Sequence, residues 1–202
     1  MRPFLFSLWL FLGLAGPLFG PAHAVDSEPE SAPAGVYLLD PKHVSIIWSV
    51  RHLGLSDFVG RFDTADGRLV WNGATPETSS LSVTIDPASI STRLPDFDQT
   101  LAGPDWFDAE RHPAITFRST QITRTGPTSG TITGDLTLHG VTRPMTLDAV
   151  FNGSTFNLIE RRRALGFSAV GMVNRSEFGL DRFSAFVGDA VMVRIEAEFL
   201  RE

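Results

Sequence analysis

Residues 131–138 alternate without a slip. Ile132, Gly134, Leu136 and Leu138 fall on one side of an extended chain, and Thr131, Thr133, Asp135 and Thr137 fall on the other. Successive side chains of a strand point to opposite faces, so this pattern buries one face and wets the other. The same period recurs along the chain. Ile46, Trp48, Val50 and His52 share a face, with Ile47, Ser49 and Arg51 opposite. Ile115, Phe117 and Ser119 oppose Thr116 and Arg118, and Val191, Val193, Ile195, Ala197 and Phe199 oppose Arg194, Glu196 and Glu198. Shorter extended segments read at 57–62, 68–71, 80–85, 145–151 and 165–173, punctuated by Leu53-Gly54, Asn72-Gly73, Gly126-Pro127 and His139-Gly140. No segment carries the 3.6-residue period of a long amphipathic helix. The pattern therefore restricts the chain to an all-β closed barrel or sandwich of about eight strands. A barrel of about that size is either filled by its own side chains or holds one slender ligand.

The alternation stops between 87 and 113. Pro87, Pro95, Pro104 and Pro113 exclude a long strand there. Phe97 and Leu101, four apart, fit a short helical insertion, with Asp105-Trp106-Phe107 as a further turn. The chain ends differ from the body. Arg2, the apolar run from Phe4 to Leu14, and Ala22-His23-Ala24 have the layout of a signal peptide over 1–24 with cleavage after Ala24. The run is shorter than the roughly 20 apolar residues of a membrane span. Residues 25–35 are small, acidic and Pro-containing, and read as a flexible lead to a domain over 36–202.

Several function classes are disfavoured. The net charge is −6, and cleavage would remove Arg2 and no acid, so nucleic acid is not an expected partner. With no cysteine, the chain has no disulfide, thiol nucleophile or thiolate metal site. The histidines at 43, 52, 112 and 139 show no metal-ligand spacing, so no metal site is expected. Gly166-Phe167-Ser168-Ala169 lacks the second glycine and the strand-turn-helix context of a nucleophile elbow. Asp96, Asp98, Asp105, Asp108 and Glu110 lie in a polar turn-rich stretch and read as solvated, and Arg161-Arg162-Arg163 reads as an exposed turn. No catalytic set emerges. The chain has 16 Phe against one Tyr, which suits a dry interior, whether packed or hollow. His52, on an apolar face, reads equally as a core histidine with a hydrogen-bond partner and as a polar contact for a ligand head.

An ordered series of motifs resembles the YceI-like family. It begins with Asp40, His43, Trp48, Val50 and His52-Leu53-Gly54, then Phe58-Val59-Gly60-Arg61-Phe62 and Ser89-Ile90-Ser91-Thr92. It continues with Asp105-Trp106-Phe107-Asp108, His112-Pro113-Ala114-Ile115-Thr116-Phe117, the stretch from Gly134 through His139-Gly140 to Pro144, and Asn174-Arg175-Ser176-Glu177-Phe178-Gly179. Three positions depart from the family pattern: Val44 stands for its usual Ser, Trp48 for Phe, and Glu177 for Asp.

The resemblance implies an extended, lipocalin-like antiparallel barrel that binds a long isoprenoid, either a polyprenyl lipid or a quinone side chain. It implies a periplasmic, non-catalytic binding, transport or storage role with no cofactor beyond that lipid. The expected lining is Ile46, Trp48, Val50, Phe117, Ile132, Leu136, Leu138 and Phe167, with His52 and Arg175 near a polar head. Transient membrane contact and a monomer or homodimer are the accompanying expectations. The alternatives are a stress-related interaction protein with a filled core, or a hydrolase at the barrel mouth.

Overall fold

The alternating segments become the staves of one closed barrel in the computed structural model, which describes residues 25–202; the signal-peptide reading of 1–24 lies outside the described residues. The strands are β1 (Gly35–His52), β2 (Ser56–Phe62), β3 (Ala65–Trp71), β4 (Ser80–Ile85), β5 (Ile90–Ser91), β6 (Ile115–Arg124), β7 (Ser129–Leu138), β8 (Val141–Asn157), β9 (Arg162–Asn174) and β10 (Val187–Arg201), with one α-helix among the described residues, α1 (Pro95–Ala102). All pairings are antiparallel, and the order β10-β9-β8-β7-β6-β4-β3-β1 closes where β1 pairs back onto β10. β2 and β3 share the same flank of β1: Ile46–His52 faces Phe62–Ser56, and Gly35–Leu38 faces Trp71–Arg68. The wall is thus the eight-strand barrel the periodicity predicts, with the short helix as its insertion.

β1 starts well before its clean alternation does. The reason is a bulge at Asp40-Pro41-Lys42-His43, where pairing jumps from Leu39–Phe199 to Val44–Ala197. A proline cannot donate to a ladder and is tolerated where pairing is already interrupted. The Asp40 carboxylate, only 2% exposed, fastens the bulge. Its Oδ1 accepts from the Lys42 N–H at 2.9 Å, and its Oδ2 lies 2.8 Å from His43 Nδ1. Burial works against the Asp40 charge, but the hydrogen bonds from His43 and Lys42 together outweigh it and hold the group below its usual 3.8. The same contact raises His43 above its usual 6.5.

These shifts predict a pH window. The His43 contribution is complete below pH 6.5 and is lost as pH rises through its raised folded value. The Asp40 contribution is complete above pH 3.8 and is lost as pH falls through its lowered folded value. The stability difference between wild type and His43→Ala in urea unfolding should be largest near pH 5 and shrink towards pH 8. An equal difference at both would show that the contact does not act as a charge pair.

The lead differs from the flexible expectation. Pro29 and Ala32 are buried, and Asp26 and Ser154 exchange backbone hydrogen bonds at 2.9 and 2.7 Å. Glu30 pairs with Arg124, and Tyr37 donates to the Pro33 carbonyl at 2.7 Å. A side chain at Gly73 would collide with the Pro29 carbonyl oxygen, so that glycine admits the lead. Composition correctly shows that the lead cannot form a core of its own. It docks instead with two small apolar side chains and backbone bonds to an existing wall.

Candidate functional site

The inner faces of the staves enclose a cavity of about 710 Å³, within the usual range of roughly 300–1,000 Å³ for small-molecule sites. β1 places Ile46, Trp48 and Val50 on it, β6 places Phe117, β7 places Ile132, Leu136 and Leu138, and β9 places Phe167. His52 and Arg175 also border it, so all ten residues singled out from the sequence lie on one surface. Period two explains this: residues two apart keep the same face, and a closed barrel turns every apolar face inward. Trp48, Ile132 and Phe167 are only half-buried because the hollow leaves part of each side chain without neighbours.

The cavity runs the length of the tube. One end is bordered by Pro29, Pro76 and Pro127, and the other by His52, Leu53, Phe183 and Phe186. Near the first end, Trp71 stacks on Phe151 at 5.5 Å, Phe151 meets Phe167 at 5.4 Å, and Phe167 meets Phe199 at 5.9 Å. The second end is covered by α1, the turns after it, and the corner between β9 and β10. Phe58 meets Phe97 edge-on at 5.7 Å, Phe62 meets Phe107 at 5.5 Å, and Trp106 stacks on Phe183 at 6.1 Å. An Arg182–Asp105 ion pair and a 2.7 Å bond from the Leu53 N–H to the Phe186 carbonyl tie the covering segments together. Sequence reasoning missed Phe97, Leu101, Trp106 and Phe107 as lining residues, because irregular turns have no period to read. It also omitted Val191, Val193 and Ile195, although their alternation on β10 already marked an inner face.

Polar atoms on the wall are few. Trp48 lies across from Gly60, where any side chain would strike the indole. Its Nε1 is buried without a hydrogen-bond partner, as is Nε1 of Trp71. Buried indole N–H groups usually find an acceptor, so each marks a place where one is wanted. His52 ends β1 at the rim and is exposed, which sets aside the reading of a satisfied core histidine.

Arg175 is 6% exposed and chiefly a clamp. Its Nε donates to the Gly188 carbonyl at 2.8 Å, Nη1 to those of Leu180 and Arg182, and Nη2 to that of Val187 at 3.0 Å. One of its five N–H groups is left for anything in the cavity.

Two chemical readings are refined by the placement. Ser168 points outward, donating to Glu196 at 2.5 Å and accepting from Asn152 at 2.8 Å, which is no nucleophile elbow. The acidic stretch is not uniformly solvated. Asp98 accepts from the Thr92 N–H and hydroxyl at 2.7 and 2.6 Å, and Asp108 is 3% exposed because the turn after α1 folds its carboxylate inward.

Known proteins share this architecture. BcnA of Burkholderia cenocepacia superposes with a TM-score of 0.72 at 22% identity, covering 79% of this chain and 98% of that one. The YceI protein of Campylobacter jejuni gives 0.68 at 28% identity, covering 75% and 90%. A domain from Saccharophagus degradans, described as polyisoprenoid-binding and implicated in plant cell wall breakdown, gives 0.59 at 12% identity, covering 84% and 100%. In sequence, a UPF0312 protein of Pseudomonas putida (strain W619) is 38% identical over 151 residues, which is 74% of this chain and 78% of that protein. The YceI-like domain model matches residues 37–199, nearly the whole barrel, and the chain therefore belongs to the YceI-like family.

Proposed function

We propose that this protein binds a long isoprenoid chain along the barrel axis, and carries or stores it unchanged in the periplasm. The observation that carries the reading is the hollow, apolar interior of about 710 Å³ inside a closed wall. Such a space, elongated along the barrel axis and lined by apolar side chains, suits a slender apolar ligand. Burial is worth about 0.8 kcal/mol per CH₂, so each five-carbon unit contributes on the order of 3–4 kcal/mol before the cost of ordering the chain. Family membership and the fold shared with a domain described as polyisoprenoid-binding support the same ligand class. The signal-like layout of residues 1–24 supports export. Exposed Leu53, Leu55, Leu94, Phe183 and Phe186 at the loop-covered end support transient contact with a membrane during loading.

The test is mass spectrometry of an organic extract of the purified protein, followed by uptake of a polyprenol and an isoprenoid quinone by the stripped protein. An extract with no isoprenoid, together with no uptake of either, overturns the proposal.

The unpaired Trp48 indole N–H supports a head group that accepts a hydrogen bond, such as a carbonyl or hydroxyl oxygen. Trp48→Phe keeps an aromatic ring and removes the donor. It should weaken an oxygen-headed isoprenoid about 5- to 10-fold, the worth of one hydrogen bond of about 1 kcal/mol, and leave a pure hydrocarbon of similar length unaffected. Equal losses for both ligands in fluorescence titrations would assign Trp48 to packing alone.

A further inference from the structure

Asp108, His112 and His139 converge at the loop-covered end of the barrel, outside the set that the sequence marked for ligand binding. Each offers one ligand atom, and the three atoms lie within 4.8 Å of one another. The spacing hid this. Asp108 and His112 sit on a single turn, where the N–H groups of Arg111 and His112 both donate to the Asp108 carbonyl at 3.0 and 2.8 Å. His139 arrives from the β7–β8 turn, far along the chain.

Each group is prepared. The Nδ1 of His139 is 3.1 Å from the Phe178 carbonyl oxygen. A carbonyl only accepts, so Nδ1 carries the hydrogen and Nε2 presents its lone pair. A histidine ligand oriented through its other nitrogen is the usual supporting arrangement around a metal. The His112 ring occupies space that only glycine leaves open: a Cβ at Gly140 would lie 2.7 Å from its Cε1. The His112 and His139 rings stand 4.8 Å apart at 68°. Arg111 contacts Asp108 through Nε and Nη2, both at 2.5 Å and both to Oδ2, which leaves Oδ1 unengaged by Arg111. No side-chain hydrogen bond joins the three residues to one another among the described residues, and their side chains converge without direct contact between the ligand atoms. Tetrahedral metal–ligand bonds of about 2.1 Å put ligand atoms about 3.4 Å apart, so closing from 4.8 Å takes at most about 1.4 Å of side-chain movement.

We propose that Asp108, His112 and His139 form a binding site for a divalent transition metal of the zinc class, with one coordination position open. Two imidazoles and a carboxylate are the donor set such ions take. The metal would tie the turn after α1, which carries Trp106 and Phe107 over the cavity, to the β7–β8 turn.

The test uses the mature protein treated with a chelator and titrated with zinc chloride by calorimetry, and with cobalt chloride by visible absorption. One ion per chain is expected, with cobalt bands of a low-symmetry nitrogen–oxygen site. At zinc concentrations 100-fold above Kd, the melting temperature should rise by about 5 °C or more. His139→Ala and Asp108→Asn should each weaken binding at least about tenfold, and His43→Ala should leave it unchanged. Absence of saturable binding by the wild type overturns the proposal. So does binding that survives both site variants, or that His43→Ala abolishes, which would place the ion at Asp40, His43 and Glu198 instead. Should either site variant fail to fold, histidine side-chain nitrogen spectra of the wild type decide. Zinc must shift the His112 and His139 imidazoles while His139 keeps its Nδ1 hydrogen; shifts confined to His43 or His52 refute the site.

Discussion

Arg175→Ala lowers the stability of the protein by about 3–5 kcal/mol, the cost of breaking a buried network of hydrogen bonds to a charged group. The side chain is buried, and its guanidinium holds the carbonyls of Leu180, Arg182, Val187 and Gly188. Leu180 and Arg182 lie in the corner between β9 and β10, which has no ladder of its own, and Val187 and Gly188 open β10 beyond it. Hydrogen bonds to a charged group are worth about 1.5–3 kcal/mol each, and a buried carbonyl left unpaired costs about 1–3 kcal/mol. Water reaches part of the opened corner, which keeps the total below the simple sum. Arg175→Lys is nearly as costly, because one ammonium cannot span four carbonyls that a planar fork reaches together. Urea unfolding of both variants checks this, and a loss under about 1 kcal/mol for alanine would show that the corner holds itself. The corner also presents Phe183 and Phe186 to the cavity, so the variants should release bound lipid faster than wild type.

Stripping the lipid gives the second large effect. A ligand present at 1,000 times its Kd stabilises the folded state by about 4.1 kcal/mol. A chain of this size shifts its melting temperature by about 2–4 °C per kcal/mol, so the stripped protein should melt about 8–16 °C lower. The physical source is the wall: Trp48, Ile132 and Phe167 keep part of each side chain open to the hollow, and an empty apolar cavity forgoes those contacts. Added polyprenol should restore the original transition in calorimetry. An unchanged transition after complete extraction would mean that the cavity wall supports itself and that the lipid reading is wrong.

Much of this was legible in the residues because a barrel stave needs only a period of two. Ile132, Leu136 and Leu138, or Ile46, Trp48 and Val50, declare one inner face each, and closure brings the faces together. The hollow was not legible, since alternation says which side chains face inward and nothing of whether they meet. The role of Arg175 was hidden because a single arginine beside a glycine turn carries no mark of the four carbonyls that fold round it. Asp108 looked solvated because its neighbours are polar, and its burial depends on a turn that has no period. The first part of β1 was masked by Asp40-Pro41, which interrupts the pattern without ending the strand.

The two ends of the tube are closed by different means, and this gives the cavity a direction. At one end, the lead is pinned by backbone bonds to β8 and by the Pro29 carbonyl seated against Gly73. At the other, separate turns meet through aromatic side chains, one exposed ion pair and the Leu53–Phe186 backbone bond, with no ladder between them. Under the proposed function, the loop-covered end is the natural place for the ligand to enter. On that reading the tail enters first, and the head group stays nearest the loop-covered end. Trp48 lies four residues inside His52, about 13 Å below that end at strand spacing. On that reading Trp48 meets the head group inside the tube, and the depth beyond it sets how long a tail the barrel admits.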